Sequence, residues 1–422
     1  MAARTINLLN EIDKGVKLVQ ALSGVKVLDM SRTLAGPFCT MLLGDQGADV
    51  IKVEQPGKGD ESRRFTPPTW NGESCYYLSS NRNKRSITVD LKSEEGKEII
   101  FSLAKEADIL VENYRTGTME KLGFGYEDLK KINPRLIYCS ISGFGRTGPE
   151  KDRAGYDLLL QGFGGLMSIT GDESPAKAGM SIVDLTTGMF ASYGILCALQ
   201  ARNNTGEGQC IDASLLDGQI TLLNHLATGY MATGKPAGRM GSAHPSIVPY
   251  QSFSAKDMDI ILAIANDGLW VKCCEALGWH DLLGDERFMI NDDRVHYRDE
   301  LIPLISEKIQ LLESAEIFER LDHAGVPCGP IHTIDQILNH PQVKAREMMI
   351  EIEHPNVQNL TVPGFPVKLS HTPAAVSKHP PLLGEHTEEV LKELGYTHEA
   401  IERLRKVHVI YCLLYTSPSP RD

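Results

Sequence analysis

Between residues 25 and 142, short β-rich runs alternate with helix-like segments, and no other feature constrains the fold of this chain as tightly. The runs are VKVLDM (25–30), DVIKVE (49–54), SITVDL (86–91), DILVENY (108–114) and LIYCSIS (136–142). Among the intervening segments, PFCTMLLGDQG begins with Pro37, which suits a first helical turn, and SEEGKEIIFSLAKEA begins with Ser93, a good N-cap. This rhythm belongs to an open, mostly parallel α/β sheet. Such sheets bind ligands at the carboxyl ends of their strands, which here are the loops MSRTLAGP, EQPGKGD and ENYRTG.

The pattern changes at TGKPAGRMGSAHPSIVPYQSF (233–253), a Gly/Pro-rich stretch followed by MDIILAIAN and then by helical segments as far as HAGVPCGPIHT. Residues 24–235 therefore read as the first part of a large domain, 240–335 as a smaller domain and 340–410 as a return to the first. Residues 1–23 form an N-terminal extension with helical periodicity, but Glu11 and Asp13 weaken a transit-peptide reading. The terminal CLLYTSPSPRD is the in-frame translation of a transposase adapter from sequencing libraries. Residues 412–422 are accordingly expected to be an artefact that replaces the native C-terminus.

With 422 residues, 42% hydrophobic and 23% charged, the chain is long and apolar enough for more than one folded core. A formal net charge of -12 argues against general nucleic-acid binding. The nine cysteines are scattered, with only Cys273 and Cys274 adjacent, so neither a disulfide framework nor a thiolate metal site is expected, and a reducing compartment fits. No apolar run approaches the ~20 residues of a membrane span; the longest candidate is 189–199.

Four features bear on chemistry. Gly143, Gly145 and Gly148 spell G-x-G-x-x-G after a strand, but Pro149 and a charged segment follow, so a turn is expected rather than a dinucleotide site. SSNRNKRSITVD gathers Arg82, Lys84 and Arg85 before a strand, either as a solvated edge or as a seat for a phosphate or dicarboxylate. His244 lies in the Gly-rich GSAHPS. Asp184, in SIVDLTTGMF, precedes a helix expected over 185–202, where it is an N-cap held ionised by the helix dipole and available as a nucleophile. HExxH, P-loop and GxSxG motifs are not found.

Several ordered stretches resemble the class III CoA-transferase family, which groups formyl-CoA transferase, carnitine CoA-transferase and the α-methylacyl-CoA racemases. They include GVKVLDMSRTLAGPFCTMLLGDQGADVIKVEQPGKGD, VENYRTGTMEKLGFGYEDL, AGYDLLLQGFGGLMSITG, VDLTTGMFASYGILCAL and PLLGEHTEEVL, and coverage runs from about Gly24 to about Leu404. YYLSSNRNKRSI and GSAHPSIVPYQSF are most similar to the branch that moves CoA from succinyl-CoA to glutarate. The resemblance implies an interlocked, ring-shaped homodimer, each chain with a Rossmann-like large domain built from both termini and a smaller α+β domain. It also implies coenzyme A as a substrate, no covalently bound cofactor, acyl-CoA and dicarboxylic acids as partners, and a mitochondrial location, with the cytoplasm as the alternative.

Residue by residue, the resemblance makes Asp184 the nucleophile. It places Leu34, Ala35, Gln55, Asn81, Arg82, Asn83, Lys84, Arg85, Asn113, Tyr114 and Lys121 at the CoA site. Gly241, Ser242, Ala243 and His244 become a loop offering backbone N–H groups to an oxyanion. Arg82, His244, Arg115 and Arg239 are the candidates for a distal substrate carboxylate. The racemases carry histidine in a GHD segment; this chain has GYD, so Tyr156 stands where their base would be, and a phenol of pKa ~10 is a poor base at neutral pH. They follow their aspartate with FGGG, where this chain has LTTG. A racemase-like isomerase and a non-catalytic acyl-CoA binder are thus the alternatives to transfer.

Overall fold

The computed structural model describes residues 19–411. Those residues fall into two compact units, a larger one of 19–164, 179–224 and 345–411 and a smaller one of 165–178 and 225–344.

The larger unit is built on six strands: β1 (Lys26–Asp29), β2 (Asp49–Glu54), β3 (Lys84–Thr88), β4 (Ile109–Glu112), β5 (Ile137–Ser142) and β6 (Cys210–Ser214). All five pairings are parallel and the order is β3-β2-β1-β4-β5-β6. The chain winds outward from β1 to β3, returns to the middle, and winds outward again from β4. The direction of travel therefore reverses between β1 and β4, and the loops leaving these two strands part there to open a crevice.

Alternate side chains of each strand point to opposite faces, and each face is covered. Leu28, Ile87, Leu110 and Tyr138 pack with Ile99, Ile100 and Leu103 of α2 (Glu94–Glu106) and with Val390 and Ile401 of the C-terminal helices. Val27, Val50, Ile109 and Ile137 pack with Cys39 and Leu43 of α1 (Ala35–Asp45) and with Ala191 and Ile195 of α4 (Ile182–Thr205). Pro37 lies in the first turn of α1. Ser93 caps α2, its Oγ accepting the Gly96 N–H at 3.0 Å. A short helix, α3 (Asp157–Phe163), precedes α4.

Two expectations about elements are corrected. Strand β3 starts at Lys84 rather than at residue 86 because acids elsewhere in the fold neutralise the charges of Lys84 and Arg85. Helix α4 has 24 residues and is long and apolar enough, by length and composition, to cross a membrane. It serves instead as a layer helix, packing Val183, Ala191, Ile195 and Ala198 into the core. The next helix, α5 (Leu215–Thr233), is broken at Asn224 (φ 42), where this segment of the larger unit ends.

The smaller unit carries an antiparallel sheet of β7 (Tyr250–Ser254), β8 (Asp259–Ala263) and β9 (Cys328–Pro330), with β8 central. Phe253, Ile260 and Leu262 pack with Trp270, Ile305 and Ile317 of three helices. The unit is wider than 240–335, since it begins at 225 and takes in 165–178. Residues 345–411 return to the larger unit, where the backbone N–H of Asn83 donates to Lys378 O at 2.9 Å. The readings made for residues 1–18 and 412–422 fall outside the described residues.

Candidate active site

The crevice at the reversal point is a cleft of about 160 Å³. The loop after β1 supplies residues 32–34, the loop after β4 residues 113–116, and the end of β5 with the residue after it 141–143; Lys151, Arg153, Tyr156 and Asp184 are among the other residues of the wall. A cavity of about 320 Å³ adjoins it over the ends of β1, β2 and β3, lined by Gln55, Arg64 and Lys92 and by the acids Glu54, Asp60 and Asp90 among others. Arg32, Glu61 and Tyr114 line both.

The loop after β1 is held from several sides. Thr33 has φ 70, a left-handed conformation that costs a β-branched residue ~1–3 kcal/mol and survives only where the surroundings enforce it. Asp60 Oδ1 accepts the Thr33 N–H at 3.0 Å. The Asn113 side chain clasps Arg32 by its backbone, accepting its N–H at 2.8 Å and donating to its carbonyl at 2.7 Å. Below lie two fully buried pairs, Lys52–Asp60 at 2.8 Å and Lys84–Asp29 at 3.0 Å. Burial works against the charge on Asp60, but Lys52 and Ser62 hold its carboxyl well below the usual carboxylate range.

Asp184 does not cap α4. It is the third residue of the helix, after Ser181, Ile182 and Val183. The cap comes from Asp157, whose Oδ1 accepts the backbone N–H groups of Val183 at 2.9 Å and of Asp184 at 3.2 Å. The Asp184 carboxylate is thereby left to the cleft. Burial, and secondly the charge of Asp157, push its pKa up to about 7. The expectation that the helix dipole keeps it fully ionised is thus corrected: a dipole contributes ~0.3–1 kcal/mol, less than desolvation and a like charge remove. Tyr156 borders the same cleft and is 66% exposed.

The structure divides the sequence-derived site residues sharply. Leu34, Ala35, Asn113, Tyr114 and Tyr156 line the Asp184 cleft, and Gln55 lines the adjoining cavity. Lys121 stands exposed on a short helix outside both. The segment Asn81–Arg85 is neither a solvated edge nor part of the cleft wall; all five residues are buried. Arg82 pairs with Asp45 at 2.6 Å, and Asn83 donates to the same carboxylate. Lys84 reaches Asp29, Pro37 O and the side chain of Asn81, and Arg85 joins Asp49, Glu389 and Glu393. These cations fix the fold because acids distant in sequence converge on them.

In the smaller unit, Gly241, Ala243 and His244 donate their N–H groups to Gly171 O, Met240 O and Tyr250 O, and Ser242 Oγ lies 2.7 Å from Ser252 Oγ. Three of the N–H groups expected to be free are therefore already used. His244 stacks on His225, and burial first, then His225 and Arg298, lower its pKa, which disfavours the charged ring. Arg239 donates to the carbonyls of Asp172 and Glu173. Of the four cations weighed for a distal carboxylate, Arg115 alone is placed on the cleft. Sequence reasoning missed Arg32 and Asp157, although both lie inside stretches already singled out, MSRTLAGP and AGYD.

The model of CoA-transferase family III matches the chain over residues 22–387, a span that takes in the whole parallel sheet and Asp184. The chain belongs to CoA-transferase family III. It is 43% identical over 395 residues to the succinyl-CoA:glutarate CoA-transferase of Homo sapiens, covering 93% of this chain and 90% of that protein. It is 41% identical over 392 residues to the succinate–glutarate CoA-transferase of Agrobacterium fabrum, covering 90% and 96%. The crystal structure of a CAIB/BAIF family protein from Brucella suis superposes with a TM-score of 0.79 at 42% identity, covering 89% of this chain and 99% of that one. The protein is thus a family III CoA-transferase, with coenzyme A as part of its substrate.

Proposed function

We propose that this CoA-transferase moves CoA from succinyl-CoA to glutarate or a close dicarboxylate analogue, with Asp184 as the nucleophile. The observation that carries the reading is the placement of Asp184, a carboxylate in the first turn of α4 that borders the crevice between the β1 and β4 loops. In the first step an oxygen of Asp184 attacks the donor thioester carbon, the C–S bond breaks, and CoA thiolate leaves behind a mixed anhydride. The thiolate then attacks the aspartyl carbon, giving an aspartyl-CoA thioester and free succinate. The acceptor carboxylate attacks that thioester, releasing thiolate and forming a second anhydride. Attack of the thiolate on the acceptor's acyl carbon gives the new acyl-CoA and regenerates Asp184. Each step exchanges activated acyl groups of similar energy.

The cleft takes the acyl end in this scheme, and the adjoining cavity, lined by Gln55, Arg64 and Lys92 among others, takes the phosphate-bearing part of CoA. Arg115 is the cation for the distal carboxylate of the dicarboxylate. Tyr156 at the cleft wall supports transfer over racemisation, because the racemases need a second base there. Partnership as a homodimer, interlocked as in the family, belongs to the same reading. So does a mitochondrial location, which import of the tagged full-length chain into isolated mitochondria tests.

Incubation with succinyl-CoA and glutarate is expected to yield glutaryl-CoA by mass spectrometry. Hydroxylamine added during turnover should leave a hydroxamate on Asp184, and a hydroxamate on another residue, or none, removes the proposed intermediate. Deuterium wash-in at the α-carbon of a 2-methylacyl-CoA, without transfer, would favour the racemase-like alternative.

A further inference from the structure

Asp157 has no part in the reaction scheme, yet it is the side chain most closely tied to the presumed nucleophile. One of its oxygens accepts both the Val183 and the Asp184 backbone N–H groups, at 2.9 and 3.2 Å. Its other oxygen accepts from Gln161 Nε2 at 2.6 Å, a fully buried side chain one turn further along α3, so the Asp157 rotamer is fixed from the opposite side. An acid that spends one oxygen on a helix start and the other on a buried amide has its carboxylate plane set by both.

We infer that Asp157 is a positioning residue for Asp184: it fixes the backbone from which the Asp184 carboxylate enters the cleft, and it sets a carboxyl group of like sign against the start of the same helix. The inference rests on Asp184 being the nucleophile. It assigns Asp157 two separable actions. As a hydrogen-bond acceptor it sets the angle at which the Asp184 oxygens meet the thioester carbon, and a carboxylate displaced by about 1 Å loses ~100-fold in rate. As a charge it disfavours ionisation of its neighbour, so that Asp184, when it does ionise, is a more basic and more reactive nucleophile. The direction of the Asp184 shift agrees, with burial the larger cause and Asp157 the second.

Other titratable groups surround Asp184. Tyr76, from the short helix Cys75–Leu78, has its phenol pushed upward by burial first and then by the charges of Asp184 and Asp157, so it stays neutral. Arg32, Arg115, Lys151, Arg153 and Glu61 line the same cleft as Asp184.

The test uses two variants of the full-length enzyme, with kcat, KM and the pH dependence of kcat/KM measured for succinyl-CoA. Asp157→Asn keeps an acceptor oxygen and removes the charge. It is expected to retain kcat within about threefold while the acid limb of its kcat/KM profile moves to lower pH. Asp157→Ala removes both actions and is expected to lose ~10–100-fold in kcat with KM for succinyl-CoA unchanged within about twofold. An unmoved acid limb in Asp157→Asn, or a KM that rises as far as kcat falls in Asp157→Ala, would overturn the inference. Circular dichroism of both variants identifies misfolding, in which case the Asp157→Asn profile alone decides. Failure of the underlying reading is seen separately: Asp184→Asn would then retain transfer.

Discussion

In the proposed reaction a single carboxylate, Asp184, carries most of the chemistry, and its environment has a cost for folding. Asp184 moves from an ordinary value of 3.8 to about 7 on folding. Between about pH 4 and pH 7 the folded protein therefore holds a proton that the unfolded chain has released, and stability falls as pH rises through that window. The variant Asp184→Asn has no such proton to lose. Its melting temperature at pH 8 is expected to exceed that of the parent by roughly 1–2 °C, the change that ~1 kcal/mol produces in a chain of this size, while at pH 4 the two should coincide. Scanning calorimetry at both pH values checks this, and a difference that persists at pH 4 would mean the shift has another origin. The sequence identified this residue through its position before an apolar helix. Its true place inside the first turn, and the second acid that supplants it as the cap, depend on α3 lying against the start of α4.

At the level of elements, the NRNKR segment shows how far local pattern reaches. Five polar residues ahead of a strand looked like a ligand seat because their partners, Asp29, Asp45, Asp49, Glu389 and Glu393, are scattered along the chain. Folding brings those acids together around β3, and each cation becomes part of the packing. The pair Arg82–Asp45 is buried on both sides, so Asp45→Ala leaves an unpaired guanidinium in the core and is expected to cost ~3–5 kcal/mol in urea unfolding. The double variant Asp45→Leu/Arg82→Met is expected to recover most of that loss, because it removes both charges together. Strands β1 and β2 and the caps of the early helices were legible because each rests on a local rule, periodicity or capping. The start of β3 was not, because it depends on charges neutralised from afar.

For the whole molecule, the exposed side of α4 is the most telling surface. Met189, Phe190, Tyr193 and Leu196 are all exposed, Tyr193 to 69%, on a helix whose opposite side is in the core. Leu158 and Phe163 of α3 and Ile220 of α5 add to the open apolar area. This open apolar face is the surface that the proposed homodimer would cover. Tyr193→Glu is expected to shift the mass measured by light scattering from dimer toward monomer and to lower the melting temperature; a parent protein that is monomeric at micromolar concentration would exclude the dimer. What the sequence determined by itself was the alternation that produces a parallel α/β sheet, the loops in which a site had to lie, and the carboxylate at its centre, because strand period, turn chemistry and helix starts are set by neighbours in the chain. What only the tertiary structure decided was the crevice between the β1 and β4 loops, the fate of the basic segment as buried framework, the left-handed turn at Thr33, and the pairing of Asp184 with Asp157. Each of these is a meeting of residues distant in sequence, governed by burial and electrostatics that no local pattern encodes.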